Sequence, residues 1–258
     1  TTGAYVGNGS DNRAITDAGF QPDIIIIKGD ASQVAVIRTS SMAGDNTKPM
    51  VGGTSLTSNL IQSLTSNGFT LGSDSRVNGN SVDYYWAAFK TGAGELQIGS
   101  YTGNGSARPV TGLGFAPAYV IVMSASSTEA VQRSSAMPAT FFFDGDTGAA
   151  NRITSLDSDG FTVGDSSRVN TNGQTYYYVA WRQVAGKMNV GSYVGNGADN
   201  RSVTGVGFQP GYLITRPEAT ASNMNSAHKT ASSGASTDLT MRFYASGNND
   251  NEIQALQS

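Results

Sequence analysis

The sequence predicts an all-β protein built from tandem antiparallel β-sandwich repeats, jelly-roll-like in outline and about 92–96 residues long. First, a short segment with one tyrosine and a Gly-Asn-Gly end occurs three times, at 3–9, 99–105 and 191–197. Second, its tyrosines are 96 and then 92 residues apart, which is the length of a small domain. Third, only 14% of residues are charged and 32 are glycine, which is typical of many short strands and turns.

These spacings predict three domains: repeat one at 1–97, repeat two at 98–189 and an incomplete repeat three at 190–258. In the third repeat Ile253 aligns with Ile153, but no glycine turn and no tyrosine-rich strand follow it. A sandwich without its last strands has unpaired edges and an open core. Two explanations stay open: a longer parent chain, or a neighbouring molecule that supplies the missing strands.

The composition excludes several function classes. The net charge is −3, so the chain has no basic surplus for nucleic acid, and it has no basic run for a membrane surface. No apolar stretch approaches the roughly 18 residues of a membrane-spanning helix, so we expect no membrane insertion. Cysteine is absent, which excludes disulfides and thiol chemistry. The Thr1-Thr2 start, without Met, indicates a processed or truncated chain.

The first half of each repeat contains a turn, an arginine and an apolar strand. Asn and Gly tolerate positive φ, so Gly-Asn-Gly predicts a turn after the opening strand. A Gly-Phe-x-Pro motif follows, and its proline marks the entry of a strand because it cannot donate to a ladder. The three strands that follow are apolar without alternation, so we expect both faces to be covered. They lie at 23–28, 118–123 and 211–215, and further strands follow at 34–38 and 130–133.

The second half of repeats one and two predicts a hairpin and an aromatic closing strand. Asn67-Gly68 and Asp159-Gly160 are hairpin-type turn signals. An Arg-Val-Asn segment follows in each repeat and leads to a further turn. The closing strands, rich in aromatic and β-branched residues, lie at 84–90 and 176–182. Each complete repeat therefore has about six or seven short strands, enough for a two-sheet sandwich.

In this fixed order, the motifs G-x-Y-x-G-N-G, G-F-x-P, D-G-F-x-[LV]-G and Y-x-A-W resemble the tandem β-sandwich repeats of bacteriophage virion-associated and tail proteins. The resemblance covers nearly all of residues 1–192 and the first two thirds of a repeat after that. At the position after the proline of Gly-Phe-x-Pro, repeat one has Asp23, whereas repeats two and three depart from it with Ala118 and Gly211. The resemblance implies a structural or host-contacting role outside the cell, and it carries no catalytic residues to transfer.

The residues that could perform chemistry have simpler interpretations. His228 is the single histidine, and neither a second histidine nor a cysteine is present to complete a metal site. No Gly-x-Ser-x-Gly elbow is present. The carboxylate pairs Asp144 with Asp146 and Asp157 with Asp159 could form a glycosidase dyad or hold Ca²⁺, but they adjoin glycines, where Asp stabilises turns. We therefore predict no catalytic residue, no cofactor and no metal.

Two sets of repeated side chains are candidates for contacts with a glycan or another subunit. Arginines recur at one loop position, where the guanidinium could tie loop carbonyls together or contact a neighbouring repeat. Alternating aromatic residues of the closing strands could stack on sugars, although aromatic residues interleave on the other face, so at least one face belongs to the core. The candidates are Trp86, Tyr84, Tyr176, Tyr178, Arg13, Arg108 and Arg201.

We therefore expect a non-enzymatic, extracellular structural or assembly protein, a phage virion component such as a fibre, tail or decoration protein. The alternative is a bacterial surface adhesin or carbohydrate-binding module. The expected partners are further copies of the chain or other virion or surface proteins, with a cell-surface glycan as a further candidate. Affinity would come from weak contacts summed over many copies. A depolymerising enzyme fragment is the third option.

Overall fold

The computed structural model describes residues 1–92, 94–145, 147–218, 225–233, 238–249 and 251–257. Within these ranges the secondary structure is almost entirely β, and every strand pairing is antiparallel, which confirms the predicted all-β class. The helical elements in this part of the chain are two one-turn helices, α1 (Ser75–Asn78) and α2 (Ser167–Asn170), and one 3₁₀ turn, η1 (Ala231–Ser233). In the described ranges no helix has the length and apolarity needed to cross a bilayer.

We call the folded units of repeats one, two and three modules one, two and three. Module one contains a five-stranded sheet of order β1-β8-β3-β4-β5 and a three-stranded sheet of order β2-β7-β6. The two sheets pack face to face around Phe69, Trp86 and Val77. The strands are β1 (Thr2–Val6), β2 (Arg13–Ile15), β3 (Ile24–Gly29), β4 (Val36–Thr39), β5 (Lys48–Pro49), β6 (Ile61–Thr65), β7 (Gly68–Leu71) and β8 (Asp83–Phe89).

Module two has the same strand order, β9-β16-β11-β12-β13 in one sheet and β10-β15-β14 in the other. Phe161, Val169 and Tyr176 fill the space between its sheets. The strands are β9 (Leu96–Thr102), β10 (Arg108–Thr111), β11 (Tyr119–Ser124), β12 (Val131–Ser134), β13 (Phe141–Phe142), β14 (Ile153–Asp157), β15 (Gly160–Val163) and β16 (Thr175–Trp181).

Module three contains a single sheet among the described residues, of order β17-β18-β19. Its strands are β17 (Tyr212–Thr215), β18 (Ala227–Thr230) and β19 (Met241–Arg242). They correspond to β3, β4 and β5, since β17 follows the third Gly-Phe-x-Pro motif and pairs with the next strand in the same way. One face carries a small cluster of Leu213, Ala227, Ile253 and Leu256.

The central strands are apolar on both sides because each faces two different cores. In β3, Ile25 and Ile27 face the sandwich core of module one, whereas Ile24 and Ile26 face a second core. That second core, which we call the shared core, also receives Ile121 of module two and Ile214 of module three. The uninterrupted apolar runs thus have a structural cause: the sheets are buried between a module core and the shared core.

Backbone hydrogen bonds join the three modules in a cycle around the shared core. The N–H of Ala130 in module two donates to the Met50 carbonyl of module one, at 3.0 Å. The N–H of Ser226 in module three donates to the Phe143 carbonyl of module two, at 2.9 Å. The N–H of Ala35 in module one donates to a carbonyl of module three and closes the cycle. Each module thus contacts both others, and the chain forms an internal pseudo-threefold arrangement.

The Arg-Val-Asn segments, which the sequence placed before a turn, form α1 and α2, because the side chains of Asp74 and Ser166 cap the first turn by accepting from the N–H two residues later. One local feature differs from the sequence expectation. The opening segment of the third repeat, 191–197, forms no strand and is exposed throughout. Its counterparts β1 and β9 pair with β8 and β16, and no described strand takes that place in module three.

Candidate functional site: the tyrosine edge

The segments 3–7, 99–103 and 191–195 carry the repeated tyrosines, and we call each of them the tyrosine edge of its module. The first two lie at the edges of their sheets, whereas 191–195 forms no strand. In module one, the Tyr5 ring stacks on Tyr84 with centroids 5.2 Å apart and planes 14° apart. The Tyr5 hydroxyl donates to the Val77 carbonyl at 2.6 Å, so the strand is tied to the end of α1. Burial raises the pKa of Tyr5 well above its usual range, which keeps this donor protonated.

Module two repeats this geometry. The Tyr101 ring stacks on Tyr176 at 5.3 Å, and its hydroxyl donates to the Val169 carbonyl at 2.7 Å. The hydroxyl of Tyr176 donates to the Ser167 carbonyl at 2.8 Å and accepts from the N–H of Thr171. Each stacked tyrosine pair therefore holds one helical turn against the sheet.

The repeated arginines bind their own loops, as the carbonyl-tying interpretation predicts. Arg13 donates to the Val6 carbonyl at 2.6 Å and lies 5.0 Å above the Tyr5 ring. Arg108 donates to the carbonyl of Thr102 at 2.8 Å and lies 5.8 Å above the ring of Tyr101. The guanidinium thus fixes the turn after each edge strand through a hydrogen bond and a cation–π contact.

In module three the same clamp is present, but the tyrosine is exposed. Arg201 donates to the Val194 carbonyl and lies 5.4 Å above the ring of Tyr193. The side chains of Tyr193 and Val194 are exposed, 54% and 85% respectively. In the described part of the chain no second aromatic ring stacks on Tyr193. The third tyrosine edge thus has the same arginine-clamped loop as the other two. In the described residues it lacks a closing strand such as β8 or β16, which covers the tyrosine in modules one and two.

The predicted sugar-stacking platform needs correction. Tyr84, Trp86 and Tyr176 are fully buried or nearly so, and Tyr178 is 8% exposed. They fill the cores of modules one and two, and their interleaved neighbours, such as Trp181, face the shared core. Both faces of the closing strand are aromatic because both are core faces, so no sugar can stack on these four rings.

Of the carboxylates proposed for a dyad, Asp157 and Asp159 bind groups of their own hairpin and of a nearby turn. Asp159 accepts from the backbone N–H groups of Gly112 and Gly114, at 3.1 and 2.6 Å. Asp157 accepts from the Thr162 hydroxyl at 2.8 Å. Asp144 is half-buried and follows β13, and its predicted partner Asp146 lies outside the described residues. Over the described ranges no three His, Asp or Glu side chains gather as they would around a metal ion.

His228 lies in the shared core instead of on the surface. Its side chain is 1% exposed and packs on the rings of Phe243 and Tyr212, with centroids at 4.4 and 5.7 Å. Neither ring nitrogen has a hydrogen-bond partner among the described residues. Burial, and then the charge of Lys28, lower its pKa to about 3, so the imidazole is neutral at physiological pH.

Two buried lysines link modules, a role that no motif in the sequence indicates. The Lys28 ammonium donates to the Ser246 carbonyl of module three at 2.6 Å, and Lys48 donates to the Ser126 carbonyl of module two at 2.8 Å. Burial lowers the pKa of each lysine to about 8. Each lysine ammonium thus donates hydrogen bonds to backbone carbonyls at a place where loops of two modules meet.

One open cleft, with a volume of about 290 Å³, lies beside β12 and β14. Arg133 is the charged residue of its lining and donates to the Ile153 carbonyl at 2.7 Å. Ser134, Met137 and Leu156 contribute further surface. An arginine that is already engaged, with small polar and apolar neighbours, provides no acid–base pair.

Comparison with known proteins gives one family match. Residues 32–134 match the model of a domain of unknown function, DUF7483. The matched stretch begins within module one and ends within β12 of module two, so it crosses from one module to the next. Neither the curated proteins nor the solved structures contain a match to this chain.

Proposed function

We propose that this protein is a non-enzymatic structural or assembly protein, and that it serves as a component of a phage virion outside the cell. The virion assignment comes from the motif resemblance. The structural role is supported by one observation above others: three modules are joined in a cycle around one shared core. Such an arrangement makes a rigid block from one chain, as a particle component requires.

The distribution of polar groups supports the same proposal. The repeated arginines bind their own loop carbonyls, and Lys28 and Lys48 bind carbonyls at the junctions between modules. These cations, in a chain with few charges, hold the fold together. The described carboxylate pair, Asp157 and Asp159, serves turns.

The alternative role, a carbohydrate-binding module or surface adhesin, is not favoured by a specific observation. The aromatic residues that suggested it are buried in the module cores. A glycan array tests this alternative. Binding to a defined glycan by the purified chain would favour the alternative over a purely structural role.

The proposal is tested on particles. An antibody raised against the chain should label phage particles from the source culture in immunogold electron microscopy, at regular positions on the capsid or tail. The chain should also be found in the protein content of purified particles, and capsid or tail genes should flank its gene. Particles that lack the chain, together with flanking genes of another kind, would refute the virion assignment.

A further inference from the structure

We propose that the third tyrosine edge is a docking site for a polypeptide segment of the kind that closes modules one and two. The closing segment is the stretch 66–90 of module one and 158–182 of module two, which holds the hairpin turn, the helical turn and the aromatic strand. Both of these segments already pair within their own modules. The occupant is therefore a further segment of this type. This inference does not depend on the virion assignment.

The burial of the central strands shows where the occupant would bind. Strands β3 and β11 are buried along their whole length, since each pairs with a closing strand on one side. The corresponding strand β17 is only half-buried at every residue. Among the described strands it pairs with β18 alone. As far as the described residues show, one edge of β17 is thus free to form an antiparallel ladder.

The glycines of the tyrosine edge supply independent evidence. A Cβ at Gly3 would lie 2.2 Å from the Trp86 ring, and a Cβ at Gly99 would lie 2.5 Å from the Tyr178 hydroxyl. These glycines make room for the large aromatic residue of the closing strand. The third edge has Gly191 in the same place, where a Cβ would meet nothing within 4 Å. The glycine that makes room for the aromatic ring is thus kept in the third edge, and no described atom lies where that side chain would be.

A second glycine in each tyrosine edge lies where the helical turn of the closing segment comes close. A Cβ at Gly7 would lie 2.0 Å from the Gly79 carbonyl, and a Cβ at Gly103 would lie 2.2 Å from the Thr171 carbonyl. These carbonyls follow α1 and α2. Gly195 keeps the same position in module three with open space around it. The third edge therefore has room for a helical turn as well as for an aromatic strand.

The ring of Tyr193 gives the third element of recognition. Tyr5 and Tyr101 each stack on a tyrosine of the closing strand and donate to a carbonyl of the helical turn. Tyr193 is held by the same arginine clamp but lacks both contacts among the described residues. The occupant should therefore carry a tyrosine, then two residues later a large aromatic ring, after a helical turn that offers its carbonyl.

The test uses the full chain and a labelled peptide of residues 158–182, the closing segment of module two. We expect saturable binding in fluorescence anisotropy. We also expect slower hydrogen exchange at 192–195 and 212–215 when the peptide is bound. Because β-augmentation adds backbone hydrogen bonds along the edge, both readouts should change together.

Matched variants separate docking from unspecific association. Gly191→Val places a side chain where the aromatic ring of the occupant would lie, so the affinity should fall at least tenfold. Ser192→Val adds similar bulk on the outer side, where Ala4 and Ser100 stay exposed in the covered edges, and should bind as the parent does. A peptide with Tyr178→Ala should also bind more weakly.

Two results would overturn the proposal. The first is the absence of both binding and exchange protection at peptide concentrations up to several hundred micromolar. The second is binding to which Gly191→Val and Ser192→Val respond alike, since the peptide would then attach elsewhere. If the peptide is poorly soluble, the same exchange readout on a chain with residues 158–182 fused through a flexible linker decides the question.

Discussion

His228 occupies, in the sheet of module three, the register position that Ile37 occupies in the sheet of module one. Gln132 has that position in module two, where its side-chain amide donates to the Ser226 hydroxyl at 2.7 Å and accepts from Tyr119 at 2.8 Å. Three different side chains thus point from equivalent sites into one shared core. Of these three side chains, the histidine is the one that can take up a proton, and in the folded chain it does so only near pH 3.

The pH dependence of stability should reveal this buried imidazole. The pKa of His228 is about 3 in the folded chain and about 6.5 in an unfolded one, so its contribution is complete above pH 6.5 and is lost as the pH falls toward 3. The slope it adds is at most about 1.4 kcal/mol per pH unit. Urea unfolding at pH 7, 5.5 and 4.5 should show a steeper loss for the parent than for His228→Gln.

The variant His228→Gln is the suitable control because glutamine already stands at this position in module two. Carboxylates titrate in both proteins, so their effect cancels in the comparison. Equal slopes for parent and variant would show that His228 keeps its ordinary pKa and is not isolated from water in the shared core.

The glycines of the tyrosine edge should respond differently to the same substitution. A Cβ at Gly3 would lie 2.2 Å from the Trp86 ring, whereas one at Gly191 would meet nothing within 4 Å. Gly3→Ala should lower the free energy of unfolding by about 1–3 kcal/mol through overpacking. Gly191→Ala should leave the stability of the chain nearly unchanged. Thermal unfolding of both variants tests the difference, and equal destabilisation would contradict the open third edge.

A threonine side chain bridges two segments at the same place in each module. The Thr140 hydroxyl donates to the Ile153 carbonyl at 2.8 Å and accepts from the N–H of the same residue at 3.0 Å. Thr47 and Thr240 make the same pair of bonds to Ile61 and Ile253. Thr140→Val removes the partner of the buried Ile153 N–H, whereas the Ile153 carbonyl keeps its bond from Arg133, so the change should cost about 1–3 kcal/mol. Thr140→Ser keeps the hydroxyl and should cost much less by chemical denaturation.

The shared core predicts that modules one and two unfold together. The two tryptophans of the chain report different cores: Trp86 lies in the core of module one, and Trp181 lies in the shared core. Trp181→Phe copies Phe89 of module one, and Trp86→Tyr copies Tyr178 of module two. In urea, the fluorescence transitions of these two single-tryptophan variants should have the same shape and slope. Transitions with clearly different slopes would show independent modules.

The sequence alone determined the elements of this protein. Gly-Asn-Gly, Gly-Phe-x-Pro and Asp-Gly predict turns or strand entries because proline restricts φ and glycine and asparagine tolerate positive φ. The apolar runs predict strands that are covered on both faces. Those signals act within a few residues of the chain. They also identified the repeated arginines, whose clamp to a nearby carbonyl in the same loop is equally local.

The tertiary structure decided what covers each face. The closing strands are aromatic on both sides, and the pattern alone could not tell a ligand platform from a second core. The answer depends on packing between modules far apart in the chain: Trp181 meets Phe89 at 5.8 Å, and Ala35 donates to Phe243 at 2.8 Å. Contacts of this kind bury His228, whereas Tyr193 has none and is exposed among the described residues. Burial depends on which surfaces meet in space and not on the order of residues in the chain.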